Sequence, residues 1–215
     1  MTTKELEEIL QEHESWVQTR GRFGKQADFR KASLRGIDFS NKCLEEALFD
    51  GADLTKCKFN HSQLQGCSFK RATLKKANLY FADLTAANFE EADLEKADLE
   101  GVYCDETSFK NAYMANAYLW EANLSFSNLD GVVLHRSEGR SRLYLNNSSL
   151  VGADLSEVNW TEANLQNADL TSADLTDANL KGADLRGAKF DKAILKRTNL
   201  NKVDFENTKF TLVYN

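Results

Sequence analysis

A large apolar residue returns at every fifth position along most of this chain, and no other feature restricts its fold as tightly. From Phe29 to Leu134 each fifth residue is Leu or Phe, except Cys104 and Met114, and the pattern resumes at Leu150 and runs to Phe210. Two residues before each of these centres sits a small residue, most often Ala, as in Ala52-Asp53-Leu54, Ala92-Asp93-Leu94 and Ala183-Asp184-Leu185. A period of five suits neither the turn of a helix nor the alternation of a strand. The chain must therefore turn a corner every five residues, with one small and one large side chain facing inward on each side of a narrow coil. Four sides per coil place residues twenty apart directly above one another. Phe29, Phe49, Phe69, Phe89 and Phe109 follow that spacing without interruption, as ring-on-ring packing between coils would select. The other three sides carry mostly Leu.

The repeated unit, a small residue, Asp or Asn, Leu or Phe, and two polar residues, resembles the motif of the pentapeptide-repeat family over about residues 27–210. The resemblance implies an all-β solenoid, a right-handed quadrilateral β-helix with four repeats per coil. At a strand spacing of ~4.8 Å, about nine coils make a rod about 45 Å long. Each repeat would contact only its neighbours.

A solenoid exposes its core and strand edges at both ends. Residues 1–22 are expected to close the first end as a helical cap, and residues 23–215 to form the β-helix. Leu6, Ile9, Leu10, His13, Trp16 and Val17 share one face of a helix over residues 2–20, Thr2 and Glu5 suit a capping box, and Gly21 a stop. At the other end the repeat runs to Phe210, so either Leu212–Tyr214 plugs the last coil or two copies pair through it as a homodimer. The resemblance favours that end for pairing. Leu134 and Leu150 stand sixteen apart, three repeats plus one residue. The frame therefore slips within 135–149, and a one-residue bulge keeps the four sides in step.

The chain offers no catalytic constellation. His13, His61 and His135 fall in the cap, on an outward site and in the slip, and no phosphate loop or Cys-x-x-Cys pair is present. Cys57 and Cys67 occupy small inward sites and Cys104 is a centre, so these three read as packing residues and not as metal ligands, while Cys43 points outward. The Asp and Asn residues before the centres suit tight corners by bonding nearby backbone. A filled axis leaves no ligand pocket, so no cofactor, no metal and no enzyme activity are expected. Lys42 is an anomaly, a lysine on a small inward site. The formal net charge of -6 lacks the basic footprint of a nucleic-acid binder. No apolar run suffices for a membrane span, the polar N-terminal stretch is no secretory signal, and the four cysteines form no disulfide framework, so a cytoplasmic protein is expected.

Function is then sought on the outside. On the Phe side the residues after the centres are Arg30, Asp50, Lys70, Glu90, Lys110 and Asp130, a ladder of alternating sign. Some members of the family resemble DNA in shape and charge, bind DNA gyrase and protect it from quinolones. The rod suits that role, while the alternating ladder and modest charge fit it poorly. Another side draws more attention. Tyr80, Phe81, Tyr118 and Trp120 lie outward on or beside the side of Phe39, Phe59, Leu79, Leu99 and Leu119, with Tyr103 and Phe126 on the adjoining side. Arg136, Arg140 and Arg142 of the slip should emerge there one coil later. Aromatics beside arginines have the composition of a protein-binding hot spot. The other reading, aromatics shielding corners and arginines paired to nearby acids, stays open. The sequence thus points to a non-catalytic scaffold for a protein partner, with the gyrase-binding DNA mimic as the alternative.

Overall fold

The computed structural model of the protein describes residues 2–139 and 142–210. Parallel β-bridges link each residue before a centre to its equivalent on the next coil, from Asp28 with Leu48 to Lys189 with Lys209. Each coil has four sides and spends twenty residues, except where the frame slips.

The five-residue code is an account of where the backbone N–H groups go. In the repeat 53–57, Asp53 N donates to Ala32 O of the coil below (2.9 Å), while Leu54 N and Lys56 N donate to Thr73 O and Lys75 O of the coil above (2.8 and 2.9 Å). Cys57 N closes the corner on Leu54 O at 3.0 Å. The remaining donor, Thr55 N, is taken by the Asp53 carboxylate at 3.1 Å. Where Asp or Asn precedes the centre, it is therefore the acceptor for the one amide that the coils leave over, as Asn78 is for Tyr80 N and Asp93 for Glu95 N. At Ser68 and Ser149 the acceptor comes from the neighbouring coil: Asp50 takes Lys70 N, and Asp130 takes Val151 N, both at 3.1 Å. Each corner is closed by a residue at positive φ, such as Lys56 at 61° or Ala86 at 57°, the geometry of a type II turn. Among the described residues, none of those held at positive φ is Val, Ile or Thr, whose branched Cβ tolerates this region worst.

Inside, the Phe side forms a stack, with centroids 5.0, 4.8, 4.6 and 5.1 Å apart from Phe29 to Phe109. The opposite side begins with its own stacked pair, Phe39 and Phe59 at 5.1 Å, and the two columns meet edge to face at about 6 Å. Hydroxyls and thiols on the small inward sites are spent on carbonyls. Cys57 and Cys67 Sγ lie 2.9 Å from Leu34 O and Leu44 O, and Thr107 Oγ1 lies 2.7 Å from Leu84 O.

The frame slip is a single extra residue. Tyr118 pairs with Glu138, twenty residues on, but Asn123 pairs with Tyr144, twenty-one on, and the sides stay in step thereafter. The repeat does not lapse between Leu134 and Leu150 as the sequence suggested. Gly139 takes the position of a centre, its N donating to Asn159 O at 3.0 Å, and Leu145 is the next. The volume missing at Gly139 comes from two neighbours. Leu143 stands on a small inward site yet is fully buried, and Trp160 fills the centre one coil above. A Cβ on Gly139 would lie 2.3 Å from Leu143 Cδ2 and 3.2 Å from Trp160 Cδ1.

The first coil is covered by the helix α1, Thr3–Gln18, shorter at both ends than the expected 2–20. Its capping box is complete: Thr2 N donates to Glu5 Oε2 at 2.7 Å, and Glu5 N to Thr2 Oγ1 at 3.2 Å. Leu6, Ile9 and Leu10 pack on the core, and Gly21 stops the helix at φ 79° with its N on Trp16 O at 2.8 Å. His13 is the fully buried residue of this face; its Nδ1 accepts Ala27 N at 3.0 Å, capping the start of the first coil. Lys42 lies exposed in the cleft beneath α1, beside Glu7 and Glu14, so its ammonium escapes the axis. At the far end Leu195 and Leu200 are half-buried, and Phe205 and Phe210 are exposed. The expected plug at Leu212–Tyr214 falls outside the described residues.

Candidate interaction surface

Outward positions are set by the same corners that fill the inside. On the side of Phe39, the residue before the centre, the residue after it and the corner residue recur at every coil, giving Tyr118, Trp120 and Phe81 their places. Tyr118 and Trp120 are exposed and meet edge to face at 6.4 Å. Tyr80 stands two coils below Trp120, about 10 Å away along the axis. It is half-buried against Phe81 at 4.6 Å, and His61 packs on both rings at 5.5 and 6.0 Å.

The arginines are distributed differently from the sequence reading. Arg136 stands at the corner before this side and is held by Glu157 at 2.9 and 3.3 Å. That pairing holds the Glu157 carboxyl below its ordinary pKa. Arg142 stands at the corner after it, with Nη1 3.3 Å from Glu121 Oε1. Arg140 lies outside the described residues. Two of the three arginines are thus committed to carboxylates one coil away, and they flank the side instead of clustering on it.

A shallow groove runs along the corner between this side and the next. Its corner wall is the column Phe81, Gly101, Glu121 and Arg142, and its face wall is Tyr103, Asn123 and Tyr144. The groove exists because two residues leave room. Gly101 has no side chain, and the Phe81 ring lies across it, where a Cβ would come within 2.6 Å. Asn123 bends back to its own corner, accepting Ser125 N at 3.1 Å and donating to Asp105 at 3.3 Å. Tyr103 and Tyr144 stand exposed on either side of it. Tyr103 was legible as a neighbour of the aromatic side. Tyr144 was hidden in the slip, and continuing the frame through Gly139 would have placed it, one residue before the centre Leu145.

Buried polar chemistry is sparse. Burial pushes the Cys57 thiol up to about 11 and the Cys67 and Cys104 thiols higher, which removes them as nucleophiles. Among the described residues no group of His, Cys, Asp and Glu is placed to hold a metal ion, and no helix is long and apolar enough to cross a membrane.

Parallel coils, four sides and a core of stacked centres define a right-handed quadrilateral β-helix. Residues 25–60, 34–71, 62–101, 107–138, 148–187 and 178–213 match the family model for pentapeptide repeats, in 8 copies. The chain belongs to the pentapeptide-repeat family. HetL, a pentapeptide repeat protein involved in heterocyst differentiation regulation in the cyanobacterium Nostoc, is 24% identical over 89% of this chain and 94% of its own, with a TM-score of 0.43. QnrB1, a plasmid-mediated fluoroquinolone resistance protein, is 19% identical over 87% of this chain and 92% of its own, with a TM-score of 0.38. Rfr23 from the cyanobacterium Cyanothece is 20% identical over 86% and 91%, with a TM-score of 0.23. No curated protein matches the sequence.

Proposed function

We propose that this protein is a non-catalytic, cytoplasmic interaction scaffold that presents its outer surface to a protein partner. The contact face is the aromatic side of the middle coils: Tyr80, Phe81, Tyr118 and Trp120, flanked by Arg136 and Arg142, with Arg140 assigned to it from the sequence. The observation that carries the reading is the gathering of exposed Tyr103, Tyr118, Trp120, Phe126 and Tyr144 onto two adjoining sides of a rigid rod. The test is partner capture with Tyr118→Ser and Trp120→Ser combined. Both side chains point outward, so the circular dichroism spectrum and melting profile should be kept while capture is lost. Unchanged capture refutes the site.

A second reading, a DNA mimic that binds gyrase and protects it from quinolones, draws support from the rod shape. Against it, the Phe side alternates in charge, and Lys70 and Glu90 on it pair at 3.0 Å. A gyrase supercoiling assay with and without a quinolone tests it, and no effect at micromolar protein removes it. Pairing of two copies through the last coil belongs to the scaffold reading as well, since Phe205 and Phe210 are exposed there. Sedimentation velocity should show a dimer that Phe205→Lys dissociates.

A further inference from the structure

The groove between the Phe81 corner and the Tyr103 column differs from the rest of the rod in its charge. In the coils before it, cations meet carboxylates one coil away: Lys70 with Glu90, Arg71 with Glu91, and Lys75 with Asp93 and Glu95. In the coil that carries Gly101 and Tyr103, Asp98, Glu100, Asp105 and Glu106 pair with no cation among the described residues, and Glu121 is the carboxylate that lines the groove itself. Glu100 is half-buried next to Gly101, and burial first, then Asp98 and Glu121, raise its pKa. The guanidinium that lines this groove belongs to Arg142, which reaches from its corner to Glu121 one coil below. Aromatic faces beside unanswered carboxylates attract a flat cation, through the ring quadrupole and the charge together. The N–H groups of Tyr103, Asn123 and Tyr144 already donate to Ala82, Val102 and Ala122 O, so the groove residues leave no donor for an added strand and the partner is read by its side chains.

We propose that this groove receives an arginine side chain from a basic segment of the protein partner. Its guanidinium lies against the Tyr103 and Tyr144 rings, its charge is answered by Glu100 and Glu121, and Arg142 is the intramolecular occupant that it displaces. The inference rests on reading this face as the partner-binding one, and it adds the chemistry of the partner. An acidic partner is disfavoured because Arg136 and Arg142 are already committed to Glu157 and Glu121.

The experiment uses the full chain and a dye-labelled arginine–serine repeat peptide, followed by fluorescence anisotropy at low salt. The expected result is saturable binding that Glu100→Gln with Glu121→Gln weakens about tenfold. Arg142→Ala should tighten binding several-fold by freeing Glu121, and a lysine–serine peptide or spermine should compete poorly. Unchanged affinity in the Gln variant, weaker binding in Arg142→Ala, or equal competition by lysine or spermine overturns the proposal. The broader reading fails separately. If Tyr118→Ser with Trp120→Ser abolishes partner capture while the arginine peptide does not displace the captured partner, the arginine assignment falls and the scaffold reading stands.

Discussion

Removing the Leu143 side chain tests how the coil absorbs its irregular repeat. Leu143 is fully buried on a site that elsewhere is most often Ala, and it fills the axis that Gly139 leaves empty. Leu143→Ala should cost about 2–5 kcal/mol, the range for a buried leucine whose cavity cannot collapse. Gly139→Leu alone should also destabilise, by about 1–3 kcal/mol, because its Cβ would lie 2.3 Å from Leu143 Cδ2. Together the two changes restore an ordinary repeat, Leu at the centre and Ala two residues before the next centre. Trp160 still crowds the site from above, so recovery is partial, but the pair should cost about 2 kcal/mol less than the sum of the single changes. Guanidinium denaturation of the wild type and the three variants gives the cycle. Additivity within about 0.5 kcal/mol would refute the idea that Leu143 substitutes for a missing centre.

Other perturbations read other parts of the design. Ala86 sits at φ 57°, so Ala86→Gly should stabilise by about 1 kcal/mol in thermal melts, whereas Gly101→Ala should destabilise because the new Cβ meets the Phe81 ring at 2.6 Å. Burial lowers the pKa of His13, so its contribution to stability is intact above the unfolded value of about 6.5 and is lost as pH falls below it. The denaturation midpoint should therefore drop between about pH 7.5 and 5.5, and by less in His13→Gln. A thiol reagent should label Cys43, which is half-buried, and spare Cys57, Cys67 and Cys104 until the protein is denatured.

The inside of this molecule could be read from its sequence because one rule governs it. A centre every five residues, a small residue two before it and an Asp or Asn in between each correspond to one physical need: filling the axis, close approach of the backbone, and an acceptor for the leftover amide. The rule hid what broke it. Gly139 carries no apolar side chain, so a count of large apolar centres skips it, and Leu143 and Tyr144 lose their places with it. Counting places Phe39 and Phe59 together on the opposite side, but not as the second stack that they open there. The outside was legible only as a list of columns. That Tyr118 and Trp120 share a side follows from counting; that Arg136 and Arg142 turn away to Glu157 and Glu121 depends on side-chain conformations that no period encodes. The groove likewise rests on what Gly101 and Asn123 leave out.

The hydrogen bonds between coils lie along the length of the rod, not across it. Tension applied to the two ends therefore pulls on these bonds in series and opens them a few at a time. The molecule should yield at low force, like tape lifted from its spool, releasing one coil of twenty residues, about 70 Å of contour, per step. A load across the rod would instead have to break many of them at once, so the protein is soft lengthwise and stiff in cross-section.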